Sequence, residues 1–174
     1  MKILEDLAQW KHEFERGWLA HYEETGEFDW KIYNRPKNKD APAGPGVDLS
    51  RSRLALISSA GGHLRESQQP FNTHKPDLGD YSIRLFPSTT PLEKLAFAHG
   101  SYDHTAVNKD PQVLLPLRHL EDFVNEGVIG QLAPSVISFC GWQPDVERTI
   151  TEMIPAVIEV AKAEQFDAAL LVPA

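Results

Sequence analysis

The sequence lacks the hallmarks of several protein classes. Its 174 residues include a single cysteine, Cys140, which excludes an internal disulfide and a four-cysteine zinc site. Seventeen basic residues stand against 25 acidic ones, so the chain has little of the clustered positive charge that nucleic acids and anionic membranes require. No apolar run approaches the roughly 20 residues of a membrane span, and the N-terminus is too charged for a signal peptide. We therefore predict a cytoplasmic protein that binds neither nucleic acid nor membrane.

The remaining composition is that of an ordinary globular protein. Hydrophobic residues make up 41% of the chain and charged residues 24%, and the length suits a single domain. We expect three parts within it: an N-terminal helical extension at 1–33, a Pro/Gly-rich strap at 34–50 and an α/β core at 51–174.

Residues 1–24 have the spacing of an amphipathic helix, and Gly26 is a suitable end for it. We expect its aromatic face to pack on the domain or on a second subunit. The apolar positions are Ile3, Leu7, Trp10, Phe14, Trp18 and Tyr22. In the strap, Pro36, Pro42 and Pro45 remove backbone donors, so neither helix nor sheet can persist there.

Three short apolar runs predict buried parallel strands. Residues 53–58, 135–140 and 168–172 are nearly continuous in apolarity, which is typical of strands covered on both faces. Residues 81–85 alternate between apolar and polar, as an edge or antiparallel strand does. The predicted fold class is therefore α/β, a three-layer domain with a mostly parallel sheet.

Two segments between these runs have helical spacing. Residues 117–127 place apolar side chains on one face and end at Gly127. Residues 144–164 do the same over a longer span, and Pro155 should kink that helix because it lacks a backbone N–H.

The first strand ends in a segment rich in hydrogen-bond donors. In open parallel sheets, ligands bind beyond the carboxyl ends of the strands. Ser59 offers a hydroxyl there, Gly61 and Gly62 offer accessible N–H groups to a carboxylate or phosphate, and His63 offers an imidazole. A tight turn without a ligand explains the glycines equally well, because the segment matches neither the Walker A nor the GxGxxG spacing.

Polar side chains are densest in residues 98–110. Such a cluster in a loop is more often functional than structural, so we assign Asp103 and His104 to catalysis with His63 and the others to substrate contacts. A hydrogen-bond network that merely orders the loop is one alternative, and a metal-assisted hydrolase using this cluster is another. The assigned residues are His99, Tyr102, Asp103, His104, Asn108 and Asp110.

Cys140 is a weaker catalytic candidate. It ends the second strand and precedes a glycine, a position where a helix N-terminus could lower the thiol pKa. A small buried hydrophobe is the other interpretation, and a lone cysteine cannot close a dithiol cycle within the chain.

Several segments, in order, resemble the selenoprotein B family of glycine, sarcosine and betaine reductases, with most likeness to the small selenoprotein subunits of D-proline reductases. The resemblance covers about residues 53–174. Its segments are LALISSAGGH, PFN, GDYSIRLFPSTTP, AHGSYDHTAVNKD, LPLRHLEDFVNEGVIGQLAP, SFCG and FDAALLVPA.

The resemblance implies a reductive reaction on a small amino-acid-derived substrate, in which a selenolate or thiolate attacks a substrate activated by a partner subunit. It also implies a selenocysteine just after Ala174 and a methionine at the position of Cys140. We therefore expect a reductase subunit that has no redox motif within this chain because translation ended at a selenocysteine codon. We also expect exposed apolar surface, which the chain buries by forming a homodimer. A catalytically silent binding or accessory protein on the same scaffold is the alternative.

Overall fold

A computed structural model describes residues 4–40 and 44–174; Ile3 and Pro42, to which the expectations above refer, lie outside these ranges. Two π-helical turns, Glu15–Leu19 and Thr149–Met153, interrupt the helices. The helices are α1 (Leu7–Phe14), α2 (Ala20–Thr25), α3 (Thr105–Lys109), α4 (Leu117–Asn125), α5 (Val146–Arg148) and α6 (Ile154–Glu164). The strands are β1 (Arg53–Ser58), β2 (Gly62–Leu64), β3 (Arg84–Pro87), β4 (Leu95–Phe97), β5 (Gln131–Leu132), β6 (Ser135–Ser138) and β7 (Ala168–Val172).

The N-terminal helix runs from α1 through the first π-helical turn to the end of α2. The Asp6 carboxylate accepts a hydrogen bond from the Gln9 N–H at its start, as an N-cap does. Gly26 ends it in the left-handed conformation, with φ of 73°, and donates its N–H to Tyr22 O at 2.7 Å. The helix is confirmed from Leu7 rather than from the first residues, and its end at Gly26 is confirmed. Its buried residues are Trp10, Phe14 and Trp18.

The main sheet is built around β1. Strand β7 pairs with one edge of β1, while β5 and β6 follow one another along the other edge, and all three run parallel to β1. Strand β3 runs antiparallel to β6 on the far side. The α/β class and the mostly parallel sheet are thereby confirmed. Strands β2 and β4 form a separate antiparallel pair.

The other predicted elements are present with shifted boundaries. The antiparallel strand begins at Arg84 rather than at residue 81, and α4 is followed by Gly127 in the left-handed conformation, with φ of 75°. Pro155 lies in the first turn of α6, directly after the second π-helical turn. The helix is continuous from Val146 through this turn to Glu164, so Pro155 lies within it. A π-helical turn beside the proline fits the loss of one regular hydrogen bond, because proline has no N–H to donate.

The main hydrophobic core lies between one face of the sheet and α4. The opposite face of β1 is buried as well, at Ala55 and Ile57, because side chains alternate along a strand. The prediction that β1 is buried on both faces is therefore confirmed. The core residues are Leu54, Leu56, Phe86, Leu95, Leu115, Leu117, Leu120, Ile129 and Val136.

Strand β7 departs from the prediction. Leu170 is 36% exposed and Leu171 is 68% exposed, so the expectation of burial on both faces is wrong for this strand. The physical reason is its place at the edge of the sheet, where β1 is its one strand partner among the described residues. Across residues 4–40 and 44–174, no helix is long and apolar enough to cross a membrane.

Candidate functional site

The carboxyl ends of β1, β6 and β7 meet at one edge of the sheet. Main-chain hydrogen bonds join them: the Ser59 N–H donates to Val172 O at 3.1 Å, and the Gly141 N–H donates to Ser59 O at 3.0 Å. The Ala174 N–H donates to Ser59 Oγ at 2.9 Å. The parallel topology thus gathers three distant segments around Ser59.

An apolar cleft of about 370 Å³ opens at this edge. Ser59 is the one residue with a polar side chain among those that line it. The others are Ile57, Phe139, Leu171, Val172 and Pro173. A largely apolar cleft with a single polar side chain suits a small ligand that has an apolar body and one polar end.

His99 reaches the same edge from the loop after β4. Its side chain is 8% exposed, and its Nε2 has no hydrogen-bond partner among the described residues. A methyl group built on Gly141 would lie 3.1 Å from His99 Nε2 and 3.3 Å from Ser59 Oγ. Both atoms therefore pack closely against Gly141, and the structure brings together two of the predicted site residues.

Hydrogen bonding assigns the proton on His99. The Ser101 N–H donates to Nδ1 at 3.1 Å, so Nδ1 is the acceptor and Nε2 carries the hydrogen of the neutral ring. Burial lowers the pKa of His99, and the charges of His104 and Lys75 lower it further. His99 is therefore a neutral ring with an unused N–H donor.

Tyr102 and His104 support the loop that carries His99. The Tyr102 hydroxyl donates to Ala60 O at 2.9 Å, and its ring centre lies 4.9 Å from that of His99 and 4.5 Å from that of His104. His104 Nε2 lies 2.8 Å from His99 O. Burial raises the pKa of Tyr102 to about 12. The Tyr102 hydroxyl and His104 Nε2 are thus engaged with the main chain.

The remaining polar residues of the loop have no hydrogen bond to the residues at this edge of the sheet. Asp103 Oδ1 accepts from the N–H and the hydroxyl of Thr105, which lowers the pKa of the carboxyl. Asp110 Oδ1 accepts from the Gln112 N–H. Asp103 therefore forms a local turn before α3, and Asp110 caps the short 3-10 helix Pro111–Val113, as the alternative of an ordering network predicts. Asn108 lines a different cleft.

The glycine turn after β1 has a structural explanation. A methyl group on Gly61, whose φ is 69°, would overlap the carbonyl oxygen of Ala98, and the Gly61 N–H donates to Phe139 O at 2.9 Å. The expectation that Gly61 offers a free N–H to an anion is therefore wrong. Gly62 and His63 lie in β2, and His63 Nδ1 is 3.3 Å from Gly61 O.

Cys140 is fully buried, and burial raises the pKa of its thiol. Since the thiolate is the nucleophilic form, this environment argues against the catalytic role and fits the interpretation as a small buried hydrophobe.

Among the residues that the structure describes, no three His, Cys, Asp or Glu side chains are placed so that they could hold a metal ion. The cluster between His99 and His104 thus lacks the ligand geometry that the hydrolase alternative requires.

Lys75 is a neighbour of the site that no sequence pattern indicates. Its Nζ lies 5.4 Å from the ring centre of Trp142, the residue after Gly141, and its charge acts on His99. The lysine begins a short 3-10 helix, Lys75–Asp77, between β2 and β3, and its approach to the sheet edge depends on the tertiary fold.

Residues 24–173 match the model of a family described as glycine/sarcosine/betaine reductase selenoprotein B. The match includes the whole main sheet and the residues around Ser59 and His99, whereas α1 precedes it. No solved structure matches the chain significantly.

Three curated proteins are similar in sequence. The D-proline reductase subunit gamma of Acetoanaerobium sticklandii is 32% identical over 124 residues, which is 71% of this chain and 49% of that protein. The sarcosine reductase complex component B subunit beta of Peptoclostridium acidaminophilum is 31% identical over 63% of this chain and 25% of that protein. The glycine reductase complex component B subunit gamma of Symbiobacterium thermophilum is 33% identical over 58% of this chain and 24% of that protein. The chain thus spans half or less of the length of each relative.

Proposed function

This chain belongs to the glycine/sarcosine/betaine reductase selenoprotein B family, and from that membership we propose that it is a subunit of a complex that reduces a small amino-acid-derived substrate. The observation that carries the proposal is the cleft at the carboxyl ends of β1, β6 and β7, with Ser59 in its lining. Ligands of open α/β sheets bind at such an edge.

The described residues support binding and orientation of the substrate. The apolar lining of the cleft takes the body of the substrate, and the hydroxyl of Ser59 meets its polar end. Tyr102 and His104 hold the loop that presents His99. Together these groups hold one end of a small molecule, so that the bond to be reduced remains accessible to the redox group.

The redox group itself is a separate part of the proposal. By resemblance to the family, we propose a selenocysteine after the residues that match β7, next to Ala174, whose N–H donates to Ser59 Oγ. The test is the gene: an in-frame UGA after the codon of Ala174, with selenium in the native product by mass spectrometry, is the expected result. A UAA or UAG codon at that position would contradict it.

We further propose that the partner reductase subunit covers the exposed side of β7. The relatives are named as subunits of reductases and reductase complexes, and Leu170, Leu171 and Ile158 are large apolar side chains left exposed in this part of the chain. Light scattering of the chain with and without its cognate subunit tests this. A heteromeric complex is expected, whereas a stable homodimer that excludes the subunit would contradict it.

The activity is tested by a thiol-dependent reductase assay on the native product together with its cognate subunit. Cyclic and N-substituted amino acids are the substrates to compare. We expect turnover that requires the chain. If the chain joins the complex but reduction of these substrates is equally fast when the chain is left out, the accessory-protein alternative is supported. The raised thiol pKa of Cys140 also favours that alternative.

A further inference from the structure

A second cleft is lined by residues of the β2–β4 hairpin and of α3, and we propose that it binds a small organic carboxylate with an apolar body. Its volume is about 280 Å³, and it shares no lining residue with the cleft at Ser59. The site stands on the geometry and the charges of its own residues, so it does not depend on the reductase function.

Arg65 is held in position at this cleft by the hairpin. Its backbone N–H donates to Lys94 O at 2.9 Å, and its Nη2 donates to Leu95 O at 2.8 Å. A guanidinium has five N–H donors, so donors remain for a ligand beyond the one that Leu95 O accepts. A guanidinium that is already fixed loses little conformational freedom when it binds the two oxygens of a carboxylate.

Helix α3 brings a second cation to the cleft. Val107 is 1% exposed and anchors the helix, and the two residues after it, Asn108 and Lys109, also line the cleft. The amide of Asn108, a residue predicted to contact a substrate, is a further donor there. None of the ion pairs among the described residues includes Arg65 or Lys109. Both cations are therefore available to an anion from solution.

The charge of the lining favours an anion over a cation. Among the described residues that line the cleft, Glu93 is the one acidic side chain. Two positive charges thus stand against one negative charge, in a chain whose formal charge is −8. This local reversal of sign attracts an anion to a surface that is otherwise acidic.

The floor of the cleft specifies the rest of the ligand. Leu95 and Val107 are buried, and Phe97 is partly buried, so apolar side chains lie beside the exposed cations. A carboxylate with a short branched hydrocarbon chain pairs with the cations and covers this apolar surface at the same time. The small volume of the cleft limits such a ligand to a few carbon atoms.

Nuclear magnetic resonance of the backbone amides tests the site, with 3-methylbutanoate as the probe. We expect saturable shifts of the amide signals of Val107, Asn108 and Lys109 on titration of the chain. Acetate lacks three of the carbons and should bind at least about tenfold more weakly. 3-Methylbutylamine has the same branched end with a positive charge and should give no saturable shift. Absence of saturable shifts with the probe, or equal binding of acetate or of the amine, would overturn the proposal.

Matched variants test the position of the site. Arg65→Gln and Lys109→Gln each remove one cation and should weaken binding of 3-methylbutanoate by at least about tenfold. Lys94→Gln is the control, because Lys94 lines an adjoining cleft but not this one, and it should bind the probe as the wild type does. Unchanged affinity in Arg65→Gln, or an equal loss in Lys94→Gln, would contradict the site.

A further variant covers the case in which Arg65→Gln fails to fold, since Arg65 also binds the hairpin. Asn108 is exposed, so Asn108→Asp adds a negative charge to the lining without disturbing the core. Asn108→Asp should weaken binding of 3-methylbutanoate by at least about tenfold, because like charges repel. Unchanged affinity in this variant would contradict the site as well.

Discussion

Two regions of this molecule are similarly rich in apolar residues but differ in how far those residues are buried. The aromatic cluster at the N-terminus is closed by contacts within the chain, and Trp18 at its centre is 1% exposed. The C-terminal unit, α6 with β7, has no fully buried residue in either element. The aromatic cluster consists of Trp10, Phe14, Trp18, Tyr22, Phe28, Trp30, Tyr33 and Trp142.

The difference shows what an apolar pattern does and does not specify. The N-terminal region packs against residues of this chain near α5. The Tyr33 hydroxyl donates to Pro144 O at 2.9 Å, and Lys11 pairs with Glu147 at 2.6 Å. The apolar side chains of α6 and β7 are only partly buried by contacts within the described chain. A pattern of apolar residues predicts that a face can be buried, whereas the partner that buries it depends on the tertiary and quaternary arrangement.

The largest expected effect lies in the closed region. Trp18→Ala removes a ring that contacts five other rings of the cluster, and such a truncation in a core costs about 3–5 kcal/mol. Denaturant unfolding should show that loss in the free energy of unfolding. Trp30→Ala is the matched control, because Trp30 is 48% exposed and its loss should cost less than half as much. Equal costs would show that the cluster is not organised around Trp18.

A smaller effect is expected in the open region. Leu171→Ser removes an apolar side chain that is mostly in water, so the free energy of unfolding of the isolated chain should change by at most about 1 kcal/mol. The same variant should weaken association with the cognate reductase subunit by at least about tenfold. Titration calorimetry of the two chains measures this. Unchanged association would show that the partner docks elsewhere.

The sequence predicts the fold well where local pattern and burial agree. The apolar runs at 53–58 and 135–140 yield buried parallel strands, and Gly26 and Gly127 end their helices as expected. The run at 168–172 yields a strand whose burial is misjudged. Apolarity along the chain carries no information on whether a strand is central or at an edge, because that depends on which strands pair.

The site is predicted only in part for a similar reason. Ser59 and His99 are found because strand ends and polar loops are where ligands bind. The sequence cannot reveal that Gly61 packs on Ala98, that the Asp103 carboxylate binds the Thr105 N–H or that Lys75 approaches Trp142. Each of these contacts depends on the three-dimensional arrangement of the chain, which the residue pattern does not determine.

The smallest expected effect concerns His99, at the junction between the aromatic cluster and the end of β7. Burial, and then the charges of His104 and Lys75, lower its pKa from the ordinary value of 6.5, so the native chain holds His99 neutral. The other groups that face the ring are the Tyr102 phenol and the Ser59 hydroxyl, both uncharged near neutral pH.

Because the unfolded chain protonates His99 first, the stability that its neutral form contributes is complete above pH 6.5 and is lost as the pH falls below that value. The free energies of unfolding of the wild type and of His99→Gln should therefore converge between about pH 7.5 and about pH 5.5, as followed by denaturant unfolding at each pH. His12→Gln, at an exposed position of α1, is the matched control for the loss of a surface imidazole. A difference between the wild type and His99→Gln that stays constant on acidification would show that folding leaves the pKa of His99 unchanged, and one that widens would show that folding raises it. Either result would contradict the lowered pKa.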